Sequence, residues 1–179
     1  MAKAMPKLLP DIIGPNLLVL FCGLNPGAQA AASGHHFVGR GNRFWRAMHL
    51  AGFTPHQIDP EQDRSLLNYG FGLTTVVARA TSRADQLAKP EFIAAAAALQ
   101  RKLVHYRPGY LAFLGKAAYA ALSKEPKLPW GRQEQSFGGT AVWVLPNPSG
   151  LNRGFSLEAL VDAYRDLRLA LQARLHPKA

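Results

Sequence analysis

A chain of 179 residues that is 48% apolar and 18% charged has the length and composition of one globular domain, and neither disorder nor a collagen-like repeat fits it. One cysteine excludes a disulfide framework, a four-cysteine zinc site and a thiolate-held iron–sulfur cluster. With 21 Lys and Arg against 11 Asp and Glu, the net charge of +10 points toward a polyanionic partner, although on charge alone a generally basic protein would read the same.

The first eleven residues are basic but lack the apolar core of a signal peptide, so cytoplasmic residence is expected. The run Leu17 to Cys22 is continuous and apolar, bounded by Pro15 and Gly23, and reads as a strand covered on both faces and central in a parallel sheet. It is far too short to cross a bilayer, and no membrane association is expected. The loop Gly23-Leu24-Asn25-Pro26-Gly27 follows it. Ala28 to Gly34, rich in small residues, reads as a mobile loop. No acidic residue stands between Asp11 and Asp59, whereas Arg40, Arg43, Arg46 and four histidines do, a composition suited to lie against phosphates. Phe37 in that interval is either a core side chain or an aromatic face on which a base can stack.

Leu73 to Val77 is a weaker strand candidate, and Asp85 follows in Ala80-Thr81-Ser82-Arg83-Ala84-Asp85-Gln86. Phe92, Ala95, Ala96, Leu99, Leu103 and Tyr106 recur at helical spacing. Tyr110 to Leu114 and Ala141 to Leu145 repeat the buried-strand pattern, and Ser123 to Gly139 between them reads as a second mobile loop. A final helix runs through Leu157, Leu160, Val161, Tyr164, Leu167 and Leu171, capped by Ser156 with Glu158 in its first turn. Alternation of short buried strands with helices indicates an α/β layer sandwich.

In open α/β sheets, ligands bind where the carboxyl ends of the strands meet the following loops. Two such ends combine Asn, Pro and Gly: Gly23 to Gly27, and Pro146-Asn147-Pro148-Ser149-Gly150-Leu151-Asn152-Arg153. Proline removes a donor and fixes φ, while glycine lets the backbone turn and approach a ligand, so the remaining amides can be aimed into a pocket. Leu151 is an apolar side chain in a polar loop. It either folds back onto the core or acts as a wedge that enters a base stack, with Arg153 holding a neighbouring phosphate.

The motifs GLNPG (Gly23 to Gly27), GNRFW (Gly41 to Trp45), LGK (Leu114 to Lys116) and VLPNPSGLNR (Val144 to Arg153) resemble those of the mismatch-specific uracil DNA glycosylases. These form the bacterial Mug and thymine-DNA-glycosylase group of the uracil-DNA glycosylase superfamily. The resemblance runs from about Leu17 to Leu171, with the motifs in order. It implies one three-layer α/β/α domain over residues 1–179, with its core at about 12–173 and a central, mostly parallel sheet. It implies a monofunctional glycosylase that flips uracil, or a related damaged pyrimidine opposite guanine, out of double-stranded DNA and hydrolyses the N-glycosidic bond. No cofactor and no metal are implied, and a monomer is expected. Asn25 matches the catalytic asparagine. Leu24 and Phe37, with Gly23, Pro26, Gly27 and Asn147 beside them, correspond to the base pocket, and Ser149 with Gly150 to Arg153 to the intercalating loop.

Breaking the glycosidic bond builds positive charge on the sugar and negative charge on the leaving base, so a held water and donors at the base oxygens are needed. The carbonyl of Asn25 can orient a water but cannot ionise, which makes it a poor general base. Asp85, where close relatives carry a polar amide, is a second catalytic candidate as a water activator; its alternative is a surface carboxylate paired with Arg83. Thr75 stands where some relatives carry lysine, which leaves the lesion preference open.

Other chemistries lack their motifs: there is no phosphate-binding Gly-x-x-x-x-Gly-Lys-Ser/Thr, no Gly-x-Ser-x-Gly elbow, and no histidine spacing suited to zinc. A catalytically silent, damage-sensing DNA-binding module is the alternative from another class, and an RNA-binding domain a third that leaves the wedge loop unexplained. An intact GLNPG favours the enzyme.

Overall fold

The computed structural model describes residues 8–123, 125 and 127–177. Its centre is a five-stranded sheet of β1 (Val19–Gly23), β2 (Phe71–Thr75), β3 (Tyr110–Leu114), β4 (Gly131–Arg132) and β5 (Ala141–Leu145) in the order β2-β1-β3-β5-β4. The first four in that order are mutually parallel, and only β4 runs antiparallel, pairing Gly131 with Val144. The mostly parallel sheet expected from the sequence is therefore present. β1 is interior, as its apolar run requires, but β3 occupies the middle position, because β5 and β4 extend the sheet beyond it.

The helices are α1 (Ala28–Ser33), α2 (Phe44–Leu50), α3 (Lys89–Tyr106), α4 (Lys116–Ala120) and α5 (Leu157–Leu175), with 3-10 segments at Pro60–Tyr69 and Ala84–Gln86. Strand side chains alternate between faces. Val19, Phe21, Tyr110, Ala112 and Leu145 face one core with Phe44, Met48, Leu66 and Tyr164, from α2, the first 3-10 segment and α5. Leu20, Cys22, Leu111, Phe113 and Val144 face the other with Phe92, Leu99, Leu103 and Tyr119, from α3 and α4. Two cores on the faces of one sheet make the three layers.

Ser156 caps α5 as expected, accepting the Ala159 N–H at 3.1 Å. Two expectations are corrected. Ala28 to Gly34 is a short helix ending on left-handed Gly34, because four alanines and a glutamine favour helix where their small size suggested a loop. Ser123 to Gly139 contains β4, and Gln133 just after the strand extends the pairing, its N–H and Nε2 both finding backbone carbonyls. Among the described residues no helix is long and apolar enough to cross a membrane.

Candidate active site

The carboxyl ends of β1, β2, β3 and β5 lie along one edge of the sheet, and the motif loops leave from there. Gly23 sits in register with Thr75, so the GLNPG loop starts beside the end of β2. Backbone bonds extend that pairing beyond the strands: Val76 N–H to Gly23 O at 2.9 Å, Val77 N–H to Leu24 O at 3.0 Å, and Thr81 N–H to Pro26 O at 3.2 Å. Pro26 is buried and Leu24 half-buried against the α3 core; Gly27 is exposed and bridges to Thr81.

These contacts fix the orientation of Asn25. Its Nδ2 donates to Arg79 O and to Thr81 Oγ1, both at 2.9 Å. A backbone carbonyl can only accept, so the amide nitrogen must face Arg79 and the amide oxygen must face away. Thr81 is buried, and its hydroxyl passes its own proton to Arg83 O at 2.8 Å, which leaves its lone pair for Asn25. Among the described residues, no donor reaches Asn25 Oδ1. The asparagine thus presents a bare acceptor whose two donors are spent on scaffolding.

The scaffolding has its own support. The Arg79 guanidinium makes a two-pronged pair with Glu91 at 2.7 and 3.0 Å and donates to Gln86 O at 2.9 Å. Glu91 also accepts the Ala88 N–H at 2.8 Å at the start of α3. The Arg79 bonds hold the Glu91 carboxyl well below its ordinary range, at about 2. Neither Arg79 nor Thr81 was recognised from the sequence, since each is more than 50 positions from Asn25 and neither belongs to a motif.

Asp85 lies in the Ala84–Gln86 turn of the same segment. Its carboxylate pairs with the Arg83 guanidinium, Nε to Oδ1 at 3.0 Å, and its side chain is 62% exposed. It makes no hydrogen bond with Asn25.

Phe37 has left-handed backbone at φ +57°, a costly conformation for an aromatic residue. The segment on either side holds it there. Buried Asp63 accepts the His36 N–H at 2.9 Å and faces His35 Nδ1 at 3.4 Å, His36 Nε2 meets Pro10 O at 2.8 Å, and Trp45 Nε1 donates to His36 O at 3.1 Å. Burial pushes the His36 imidazole below its ordinary value. The Phe37 ring is half-buried, with one face stacked on Phe44 at 4.3 Å, and its N–H meets no acceptor among the described residues.

The second loop is tied internally. Asn147 Oδ1 accepts the Ser149 N–H at 2.9 Å, Ser149 Oγ accepts the Leu151 N–H at 3.2 Å, and Asn152 Nδ2 donates back to Asn147 O at 2.9 Å. Asn147 Oδ1 therefore shapes the loop, and the amide nitrogen is the atom left to face the base pocket in which the resemblance places this residue. Arg43 of the GNRFW motif holds the whole turn: its guanidinium donates to Phe155 O at 2.6 Å and to Ser149 O and Asn152 O at 3.0 Å each. Gly150 approaches Gly41 so closely that a Cβ would lie 2.6 Å from the Gly41 oxygen. On this rigid base Leu151 is 87% exposed, the highest value of any large apolar residue described, and Arg153 extends into solvent without an acidic partner among the described residues. Leu151 does not fold back onto the core.

A cleft of about 420 Å³ opens between the 39–42 segment and the second loop, lined by Gln29, Gly39, Arg40, Asn42, Ser149 and Leu151 among others. Leu24, Asn25 and Phe37 are not in its lining, so it borders the loop crest. Among the described residues no group of three or more His, Cys, Asp or Glu is placed to hold a metal.

A family model described as the uracil DNA glycosylase superfamily matches residues 10–168. Among solved structures, the chain is similar to a solution NMR structure described as "a putative Uracil DNA glycosylase from Methanosarcina acetivorans", with a TM-score of 0.59 and 22% identity over 91% of this chain and 98% of that one.

Proposed function

Because the chain belongs to the uracil DNA glycosylase superfamily, and is on that ground a DNA glycosylase of DNA repair, we propose that it is a monofunctional, mismatch-directed member. It extrudes uracil or a related damaged pyrimidine, typically opposite guanine, from double-stranded DNA and leaves an abasic site. The observation that carries this reading is the orientation of Asn25, with both amide protons bound and its oxygen met by no donor among the described residues. A water donating to that oxygen is held for attack on C1′ of the sugar. The C1′–N1 bond breaks with its electron pair leaving on the base, water supplies the new C1′–O bond, and the water's second proton passes to solvent or to the departing base.

The backbone N–H of Phe37 is a donor available to the charge that develops on the base, and the Phe37 ring offers it an apolar wall. Leu24, Gly23, Pro26 and Gly27 complete the pocket side of the loop. Leu151 fills the gap in the stack, Arg153 meets a phosphate, and Ser149, Gly150 and Asn152 shape the loop that carries them. Asp85 is a base for the water only if it leaves Arg83. With no ionisable side chain hydrogen-bonded to Asn25 among the described residues, the chemistry is slow and rests on electrostatic stabilisation of the leaving base.

The test is a duplex with one uracil opposite guanine, incubated with the purified protein in EDTA and assayed for abasic sites. Cleavage is expected, and Asn25→Ala should lower the single-turnover rate by about one to three orders of magnitude while duplex binding is retained. A wild-type protein that binds the lesion without cleaving it is a damage sensor, and an unchanged rate in Asn25→Ala removes the asparagine from the mechanism.

A further inference from the structure

Beside the wedge loop stands a second exposed feature that the reaction does not use. Trp130 is 43% exposed, whereas the other two tryptophans, Trp45 and Trp143, are 4% and 8% exposed. The Lys116 ammonium lies 4.4 Å above the Trp130 ring, and the edge of Phe155 meets that ring at 5.2 Å and 81°. Among the described residues, no carboxylate lies within ion-pair distance of Lys116.

Three separate placements put this ridge on the edge that carries the motif loops. Lys116 follows Gly115 directly after the carboxyl end of β3. Trp130 precedes Gly131, which pairs with Val144 near the carboxyl end of β5. The Phe155 carbonyl converges with those of Ser149 and Asn152 on the single guanidinium of Arg43, so the ring that supports Trp130 grows from the same knot as the wedge.

A solvent-facing indole with a lysine on its face offers an apolar plate next to a cation. A nucleic-acid backbone has the matching alternation, an apolar deoxyribose face next to a phosphate. We propose that Lys116 and Trp130 form a backbone-binding site for the DNA strand beside the extruded nucleotide, Lys116 meeting a phosphate and the indole packing on the adjoining sugar. The proposal rests on the reading of the chain as an enzyme of duplex DNA. An ammonium has three protons, and one side of it can stay over the ring while another meets the phosphate. Such contacts position a duplex without reading its sequence, so the site serves damaged and undamaged DNA alike.

Trp130 reports on its own occupancy, because it is the one tryptophan open to a quencher. Acrylamide quenching of the full chain should fall when undamaged duplex is added, and Trp130→Phe, which keeps a ring against Phe155, should remove most of the quenchable emission. Lys116→Gln should weaken binding of lesion and undamaged duplex by the same severalfold factor and reduce the salt slope by roughly one unit. Duplex that binds, by anisotropy of a labelled strand, without protecting Trp130 overturns the site, as does an unchanged salt slope in Lys116→Gln. If no duplex binds at all, the functional reading above fails with it, and the two failures are told apart by that anisotropy.

Discussion

Arg43 Nη2 donates at 3.0 Å to the backbone oxygen of Ser149, 106 positions further along the chain, and the same nitrogen reaches Asn152 O. The acceptors are all carbonyls, so the guanidinium acts as a template for the turn and keeps its charge. Arg43→Lys retains that charge but replaces a planar fork with a single point donor that cannot reach three oxygens. The expected cost is about 1.5–3 kcal/mol of stability. Lesion flipping, read by 2-aminopurine fluorescence, should weaken further than melting temperature alone explains, and flipping at the parental level would show that the loop holds its shape without the fork.

Thr81 and Asn25 are coupled through one hydroxyl. Thr81→Val keeps the volume and removes one of the two acceptors of the Asn25 amide, a bond worth about 0.5–1.5 kcal/mol and hence roughly a two- to tenfold fall in kcat. Duplex affinity should be unchanged and Thr81→Ser should restore the rate. A fall in Thr81→Ser as large as in valine would point to packing.

Leu151 and Arg153 divide flipping from binding. Leu151→Ala should reduce 2-aminopurine unstacking and turnover on lesions while sparing affinity for undamaged duplex. Arg153→Ala should weaken both duplexes equally and lower the salt slope by roughly one unit. The reverse pattern would exchange the two roles.

Asp85 is engaged with Arg83, and Asp85→Asn should change the single-turnover rate by less than about threefold and leave its pH profile in place. Loss of the acid limb in this variant would make Asp85 the water activator after all.

His36 makes stability depend on pH. Burial lowers its folded-state pKa below the unfolded value of about 6.5, so the unfolded chain binds the proton more tightly. This contribution is complete above that pH and is lost as pH falls through the lowered folded value. Melting temperature should therefore decline on acidification below about 6.5, more steeply in the parent than in His36→Gln. Parallel curves would place the acid sensitivity elsewhere.

Regular elements with a strong period were legible in the sequence: β3 and β5 end where the apolar runs end, and α3 and α5 span their helical patterns. The sheet order was not, because hydrophobic runs specify burial but not neighbours. Both loops were found because Asn, Pro and Gly concentrate there. Their supports were not, since Arg79, Thr81 and Arg43 act through bonds that span 54, 56 and more than 100 positions. An arginine that holds carbonyls and an arginine that faces phosphate are identical as letters.

The contact of Gly150 with Gly41 decides where this protein can change. Two backbones touch there with no side chain between them, and any Cβ at 150 must displace the Gly41 carbonyl or lift the loop from its seat. Random substitution at 150 should be purged in a screen for folded protein, whereas position 151, 87% exposed on the crest, can change without unseating the loop and is answerable only to the base stack it enters. New lesion preferences, whether selected in a laboratory or in a lineage, would then be written on the crest while its footing stays fixed.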